Sequence, residues 1–199
     1  MTTIQPTAPD KLWTPANIVT LIRICLVPVF VLAILSPWPE WVGLPGITME
    51  AKCIIAAGIF ILISCTDWID GYLARSRGEV TDFGKFMDPL ADKLLVMSAM
   101  AWFVQAGWMA AWAFFIVIAR ELAVTGLRLV AVEQGRVIAA AKSGKVKTAS
   151  TMVCICLMLL LSNAATLRLV CVWIILLTTI YSGIEYFIKN RDVLANGEM

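Results

Sequence analysis

Long apolar runs, broken by short polar joins, occupy the chain from about residue 17 to residue 188. A hydrocarbon core about 30 Å thick takes roughly 20 apolar residues in a helix. Six stretches approach that length: about 17–36, 51–74, 86–106, 109–130, 148–163 and 166–188. The fifth is short and is expected to extend into the loop before it. Thr14-Pro15 predicts the start of the first helix, with Thr as N-cap and Pro at the first helical position. SPWPEWVGLPG (36–46) reads as a Pro/Gly/Trp loop whose tryptophans suit a membrane interface. The N-terminus lacks the basic-then-apolar order of a signal peptide and reads as a short polar arm. The pattern predicts an all-α integral membrane protein of six transmembrane helices over 14–190, between an arm (1–13) and a tail (191–199).

Composition agrees. Soluble domains carry about 45–50% apolar and about 25% charged residues, whereas this chain is 60% hydrophobic and 15% charged. The net charge of +2 matters less than its distribution. Lys11, Arg23, Arg75, Arg77, Lys85, Lys93, Arg120, Arg128, Arg136, Lys142, Lys145, Lys147, Lys189 and Arg191 fall on or towards one side, and only Lys52 and Arg168 towards the other. Positive charge stays cytoplasmic, so both termini and the loops 75–86 and 131–147 are expected there. The chain has no histidine, which removes the usual general base and the commonest zinc ligand. Its six cysteines lie in apolar stretches with no CxxC pair, and read as small reduced hydrophobes rather than disulfides or metal ligands.

Against this background SCTDWIDGYLARS (64–76) is anomalous, because it ends an apolar run with two carboxylates. Residues three or four apart share a helix face. Asp67/Asp70 at the end of the second span and Asp88/Asp92 at the start of the third therefore make two pairs joined by a short loop. Four carboxylates near a membrane repel one another and resist desolvation. Hard divalent cations bound through oxygen relieve this, and two such ions are a standard device of phosphoryl transfer. Gly71, Ala74 and Gly84 leave room for a ligand near the backbone, and Arg75 offers a planar donor suited to phosphate. The alternative is an ordinary charged loop, which four acids in register with these small residues and an arginine make the weaker reading. Asp82 either touches the ligand or caps the next helix, the cap being favoured. Pro89 is expected in a first turn or at a kink.

The stretch from Asp67 to Asp92 reads D-x2-D-G-x2-A-R-x8-G-x3-D-x3-D. It resembles the signature of the CDP-alcohol phosphotransferases at every defined position. That resemblance implies a six-helix fold, usually a homodimer, with the motif straddling spans two and three. It implies that Asp67, Asp70 and Asp88 hold two Mg²⁺ or Mn²⁺ ions on the pyrophosphate of a CDP-linked lipid. Gly71, Ala74 and Gly84 would accommodate the nucleotide, and Arg75 would contact its phosphates. Asp92 would be the general base that deprotonates an acceptor hydroxyl, with CMP as leaving group. Asn17, Thr20 and Arg23 recur every three residues in span one, either as a helix–helix hydrogen-bond seam or as a strip lining the nucleotide site.

The acceptor is read from elsewhere. ARELAVTGLRLVA (119–131) places Arg120, Glu121 and Arg128 inside span four, where charges are costly and usually functional or paired. AAKSGKVKT (140–148) adds Lys142, Lys145 and Lys147. As a group these cations suit an acceptor that carries a phosphate, although any one lysine reads more simply as an orientation signal or lipid contact. For Arg120 a structural pairing with Glu121 or Glu185 is the alternative. These stretches, with PANIVTLIR (15–23), look like those of the bacterial phosphatidylglycerophosphate synthases within the family. This implies CDP-diacylglycerol as donor and sn-glycerol 3-phosphate as acceptor, in the bacterial inner membrane with the active site cytoplasmic. No nucleic-acid partner is expected. Inositol phosphate, serine or phosphatidylglycerol remain open as acceptors. An intramembrane prenyltransferase would need two separated Asp-rich motifs, and a cation transporter would place its carboxylates nearer the bilayer midplane.

Overall fold

The structure, a computed structural model, describes residues 15–41, 43, 46–77, 82–135, 138 and 141–192. Within its helices, the side chains of residues 15–20, 38, 67–77, 82–88 and 133 lie outside that description. Every regular element among the described residues is helical. The order is α1 (Pro15–Leu35), α2 (Trp38–Trp41), α3 (Met49–Arg77), α4 (Asp82–Gln105), α5 (Ala111–Glu133), α6 (Lys142–Leu160) and α7 (Ala165–Lys189). Among the described residues, three helical segments are long and apolar enough to cross a membrane: Met49–Thr66, Lys142–Leu160 and Ala165–Lys189. In α1 a shorter apolar stretch, Leu21–Leu35, accompanies them.

The long helices lie where the apolar stretches predicted them, with differences at their ends. The Pro/Gly/Trp loop contains the one-turn helix α2. α6 begins at Lys142, so the short fifth stretch does extend into the segment before it, as its length implied. Hydropathy marks what suits lipid, but a helix continues until the backbone is broken, and lysine is a good helix former. Pro89 stands inside α4, well past its first turn, so of its two expected positions the first-turn one is excluded. There it cannot donate to the carbonyl four residues back.

The chain divides into two compact units, Met1–Val96 and Met97–Met199. In the first, α1 packs against α3. Phe30 and Phe60 meet with ring centroids 5.8 Å apart. Ala56 and Ala57 are fully buried beside them, small enough for close helix approach. The turn between these helices is tied chemically. Thr48 Oγ1 accepts from the Ala51 N–H at 3.2 Å, capping α3, and Lys52 Nζ donates to the Ser36 carbonyl at 2.7 Å.

In the second unit α7 packs against both α5 and α6. The turn before α5 is made possible by Gly107, whose φ of +71° is a left-handed conformation that favours glycine. It sets Trp108 against Trp102 and Phe103, with ring centroids 4.8 and 5.6 Å away. The Arg168 guanidinium lies 4.5 Å over the Trp108 ring, and its NH1 donates to the Ser162 carbonyl. All six cysteines are free, and Cys53, Cys154 and Cys171 are buried as small apolar groups.

Candidate active site

The backbone places Asp67, Asp70, Gly71, Ala74 and Arg75 in the later turns of α3, and Gly84, Asp88 and Asp92 in the first half of α4. Each aspartate pair therefore has the helical spacing that shares a face. Asn17 and Thr20 lie near the start of α1. The side chains of Asp67, Asp70, Asp88, Gly71, Ala74, Arg75, Gly84, Asn17 and Thr20, and that of Asp82 at the start of α4, lie outside the described residues.

Asp92 is described, and its surroundings are informative. Its side chain is 31% exposed, and Arg23 NH1 stands 3.9 Å from Asp92 Oδ1. The Arg23 side chain is wholly buried. A charge carried at that depth needs a compensating partner. The polar strip of α1 thus reaches the end of the aspartate motif through Arg23.

The second unit holds the cations of the acceptor reading. Glu121 Oε1 accepts from Arg120 NH1 at 2.9 Å and from Lys147 Nζ at 2.5 Å. The three side chains are 13%, 12% and 7% exposed for Arg120, Glu121 and Lys147, so this is a largely desolvated cluster spanning α5 and α6. Charge-assisted bonds of this kind are among the stronger ones. Breaking one member of a buried set leaves an uncompensated charge. Arg120 NH2 also donates to Ser182 Oγ on α7 at 2.9 Å. Of the two partners expected for Arg120, Glu121 is the one found, while Glu185 pairs with Lys189 one helical turn on. Arg128 donates from Nε to the Tyr186 hydroxyl at 3.0 Å, with its guanidinium 5.5 Å from that ring's centroid. Lys142 and Lys145 are exposed in the first turn of α6. Arg120 and Lys147 thus share an internal carboxylate, whereas Arg128, Lys142 and Lys145 stand at the surface of the unit.

Ser182, Gly183 and Tyr186 are the participants the sequence reading missed. They fall on one face of α7, in the part of the chain legible only as an apolar span. The available signal was the small pair Ser182-Gly183 inside that span, which permits close helix packing. Gly183 lies close against Arg120: a Cβ there would stand 3.1 Å from Arg120 Cγ, a tight contact. The guanidinium is held at both terminal nitrogens, so the side chain has little room to give way. Gly183→Ala is expected to destabilise the protein by about 1–3 kcal/mol, read as a lower Tm in detergent. An unchanged Tm would show that Arg120 can shift without loss.

The donor set suits a hard divalent cation. Four aspartates stand at helical spacing, two on α3 and two on α4, in a chain with no histidine and no CxxC pair. The described member, Asp92, is partly open to solvent. Asp67, Asp70 and Asp88 are the residues that would hold such ions.

Comparison with known proteins agrees with this architecture. The sequence model of the CDP-alcohol phosphatidyltransferase family matches residues 13–181. The chain is similar to the CDP-diacylglycerol–glycerol-3-phosphate 3-phosphatidyltransferase of Bacillus subtilis, at 42% identity over 89% of this chain and 95% of that protein. It is similar to a Mycobacterium tuberculosis protein named "Probable phosphatidylglycerophosphate synthase", at 39% identity over 89% of this chain and 82% of that one. The CDP-diacylglycerol–glycerol-3-phosphate 3-phosphatidyltransferase of Haemophilus influenzae is 33% identical over 84% of this chain and 88% of its own. The match runs from the polar start of α1 through the aspartate helices and the cationic cluster into α7, and by it this chain belongs to the CDP-alcohol phosphatidyltransferase family.

Proposed function

We propose that this enzyme transfers the phosphatidyl group of CDP-diacylglycerol to sn-glycerol 3-phosphate, giving phosphatidylglycerophosphate and CMP. The observation that carries the reading is the 42% identity across 95% of a Bacillus subtilis protein named for that reaction. The uninterrupted aspartate signature from Asp67 to Asp92 supports the same chemistry.

In this reading the acceptor hydroxyl oxygen attacks the phosphorus of the phosphatidyl group. The bond from that phosphorus to the CMP oxygen breaks, and CMP departs with the bonding pair. The hydroxyl proton passes to the Asp92 carboxylate. A carboxylate is a weak base, so orientation of the hydroxyl carries much of the rate. Arg23, 3.9 Å from Asp92, helps to hold that carboxylate in place. Arg75 contacts the donor's phosphates, Gly71, Ala74 and Gly84 make room for the nucleotide, and Asn17 and Thr20 line its site. Two Mg²⁺ or Mn²⁺ ions, when bound by Asp67, Asp70 and Asp88, neutralise the pyrophosphate and the charge that develops on it. Arg120, Arg128, Lys142, Lys145 and Lys147 form the cationic ground for the acceptor's phosphate. Arg120 and Lys147 contribute charge from the internal cluster with Glu121, whereas Arg128, Lys142 and Lys145 contribute it from the surface.

The same reading takes α1 and α3–α7 as six membrane spans, together one catalytic domain over 14–190. Both termini and the aspartates face the cytoplasm of a bacterial inner membrane, and the protein works as a homodimer. The basic residues near the start of α6 and the aromatic–Arg168 cluster at the other end of the same unit support this orientation. The test is direct. Purified protein is given labelled CDP-diacylglycerol, Mg²⁺ and, separately, glycerol 3-phosphate, inositol phosphate, serine or phosphatidylglycerol. Labelled phosphatidylglycerophosphate with stoichiometric CMP, formed from glycerol 3-phosphate alone, is expected. Product from another acceptor instead would keep the chemistry and overturn the acceptor.

A further inference from the structure

Arg128 and Tyr186 make a contact whose geometry suits more than helix packing. Tyr186 is 2% exposed and belongs to a buried cluster with Val124, Leu127 and Ala131 of α5, against which Phe187 packs. Its own backbone is pinned, because its carbonyl accepts from Asn190 Nδ2 at 2.8 Å and from the Asn190 N–H at 3.2 Å. The hydroxyl at the end of this rigid ring accepts from Arg128 Nε at 3.0 Å, and the guanidinium carbon lies 5.5 Å from the ring centroid. Arg128 itself is exposed. The contact engages Nε and no other nitrogen of the fork. A planar guanidinium held through Nε keeps both terminal nitrogens available for two parallel bonds to a phosphate. Arg120 differs in this respect, since its NH1 and NH2 are committed to Glu121 and Ser182.

We propose that Tyr186 is a positioning residue for acceptor binding, fixing Arg128 by its Nε so that the two terminal nitrogens grip the acceptor's phosphate. The proposal rests on the reading that the acceptor carries a phosphate. It assigns a role to α7, whose sequence reads only as an apolar span. It also separates the two arginines of α5: Arg128 is the residue offered to the ligand, and Arg120 is the one built into the frame.

The experiment is steady-state kinetics on the full-length protein in mixed micelles, varying each substrate at saturation of the other. The proteins are wild type, Tyr186→Phe, Arg128→Gln and the double variant. Phe keeps the buried ring and deletes the acceptor oxygen. Tyr186→Phe is expected to raise the KM for glycerol 3-phosphate about fivefold, the size of one modest hydrogen bond. The kcat and the KM for CDP-diacylglycerol should stay within about twofold, a split that a general packing defect does not produce. Added to Arg128→Gln, Tyr186→Phe should change nothing further, because the residue it acts through is gone. Arg128→Lys, which leaves Tyr186 and the fold around it untouched, should raise the same KM by replacing the fork with a point charge. An unchanged acceptor KM in Tyr186→Phe or Arg128→Lys, parallel changes in both KM values, or additivity in the double variant would each overturn the proposal. Wild-type protein that makes no lipid from glycerol 3-phosphate would remove the functional reading and this proposal with it. Wild type active with that acceptor and a silent Tyr186→Phe would remove the proposal alone.

Discussion

Asp92→Asn is expected to lower turnover by about 10²–10⁴-fold, the usual contribution of a positioned general base, while CDP-diacylglycerol still binds in the presence of Mg²⁺. The amide keeps the shape of the carboxylate and an oxygen to accept a bond, but it cannot take the acceptor's proton. Asp92 lies at the far end of the signature from Asp67, with Arg23 as a cationic neighbour at 3.9 Å. The substitution also replaces the charge that faces the buried Arg23 guanidinium with a neutral amide, which weakens that contact. A lower Tm is therefore expected alongside the kinetic loss, and CMP release must be measured where the variant remains folded. Equilibrium binding of CDP-diacylglycerol separates the possibilities. Binding retained with turnover lost supports the base. Binding lost with turnover places Asp92 among the metal ligands instead. Turnover near the wild-type rate assigns the proton to another group.

How far the sequence could be read depended on whether the physics was local. The long helices were legible because lipid imposes a length and a composition on each run, and the aspartate pairs because spacings of three and four survive in any helix. The same rule showed that the fifth run was too short and had to extend backwards, but not where α6 begins. Hydropathy is silent about a basic segment such as Lys142–Lys147, and only the pairing of Lys147 with Glu121 across two helices shows why it is drawn inward. Glu121 was one of two candidate partners for Arg120 because it adjoins it in sequence. The choice against Glu185 needed the three-dimensional contact of Glu185 with Lys189. The small pair Ser182-Gly183 marked a close helix contact, but the partners of Ser182, Gly183 and Tyr186 were out of reach for the plainest reason. Their meaning lies in two arginines some sixty residues earlier, and no periodicity records a contact at that separation. Arg23 stands between these cases. Its spacing from Asn17 and Thr20 marked a polar strip, and its neighbour Asp92 gives the strip a direction.

Asp67→Ala is expected to abolish both turnover and the Mg²⁺ dependence of CDP-diacylglycerol binding. The size should exceed the roughly 10–100-fold that losing an outer partner of a metal ligand costs, because Asp67 is proposed as a ligand itself. The argument is one of charge. A CDP-lipid brings an anionic pyrophosphate to a stretch that already carries Asp67, Asp70, Asp88 and Asp92. Like charges at close range repel strongly where water is scarce, so unneutralised aspartates would repel the donor rather than hold it. Removing one carboxylate by itself lessens that repulsion. If the aspartates acted only as a bare acidic surface, Asp67→Ala would bind donor better and need less metal. If they act as ligands, the variant binds donor poorly at any attainable Mg²⁺ concentration. The two readings thus predict opposite signs in a single titration of CDP-diacylglycerol binding against Mg²⁺. Asp82→Ala is the control for acidity in general. It stands at the start of α4, outside the signature, and neutralises one charge in the same part of the chain. Its binding and turnover should stay within about threefold of wild type, a change below 1 kcal/mol. Equal losses in Asp67→Ala and Asp82→Ala would reduce the motif to a charged loop and leave the donor's pyrophosphate without an assigned partner.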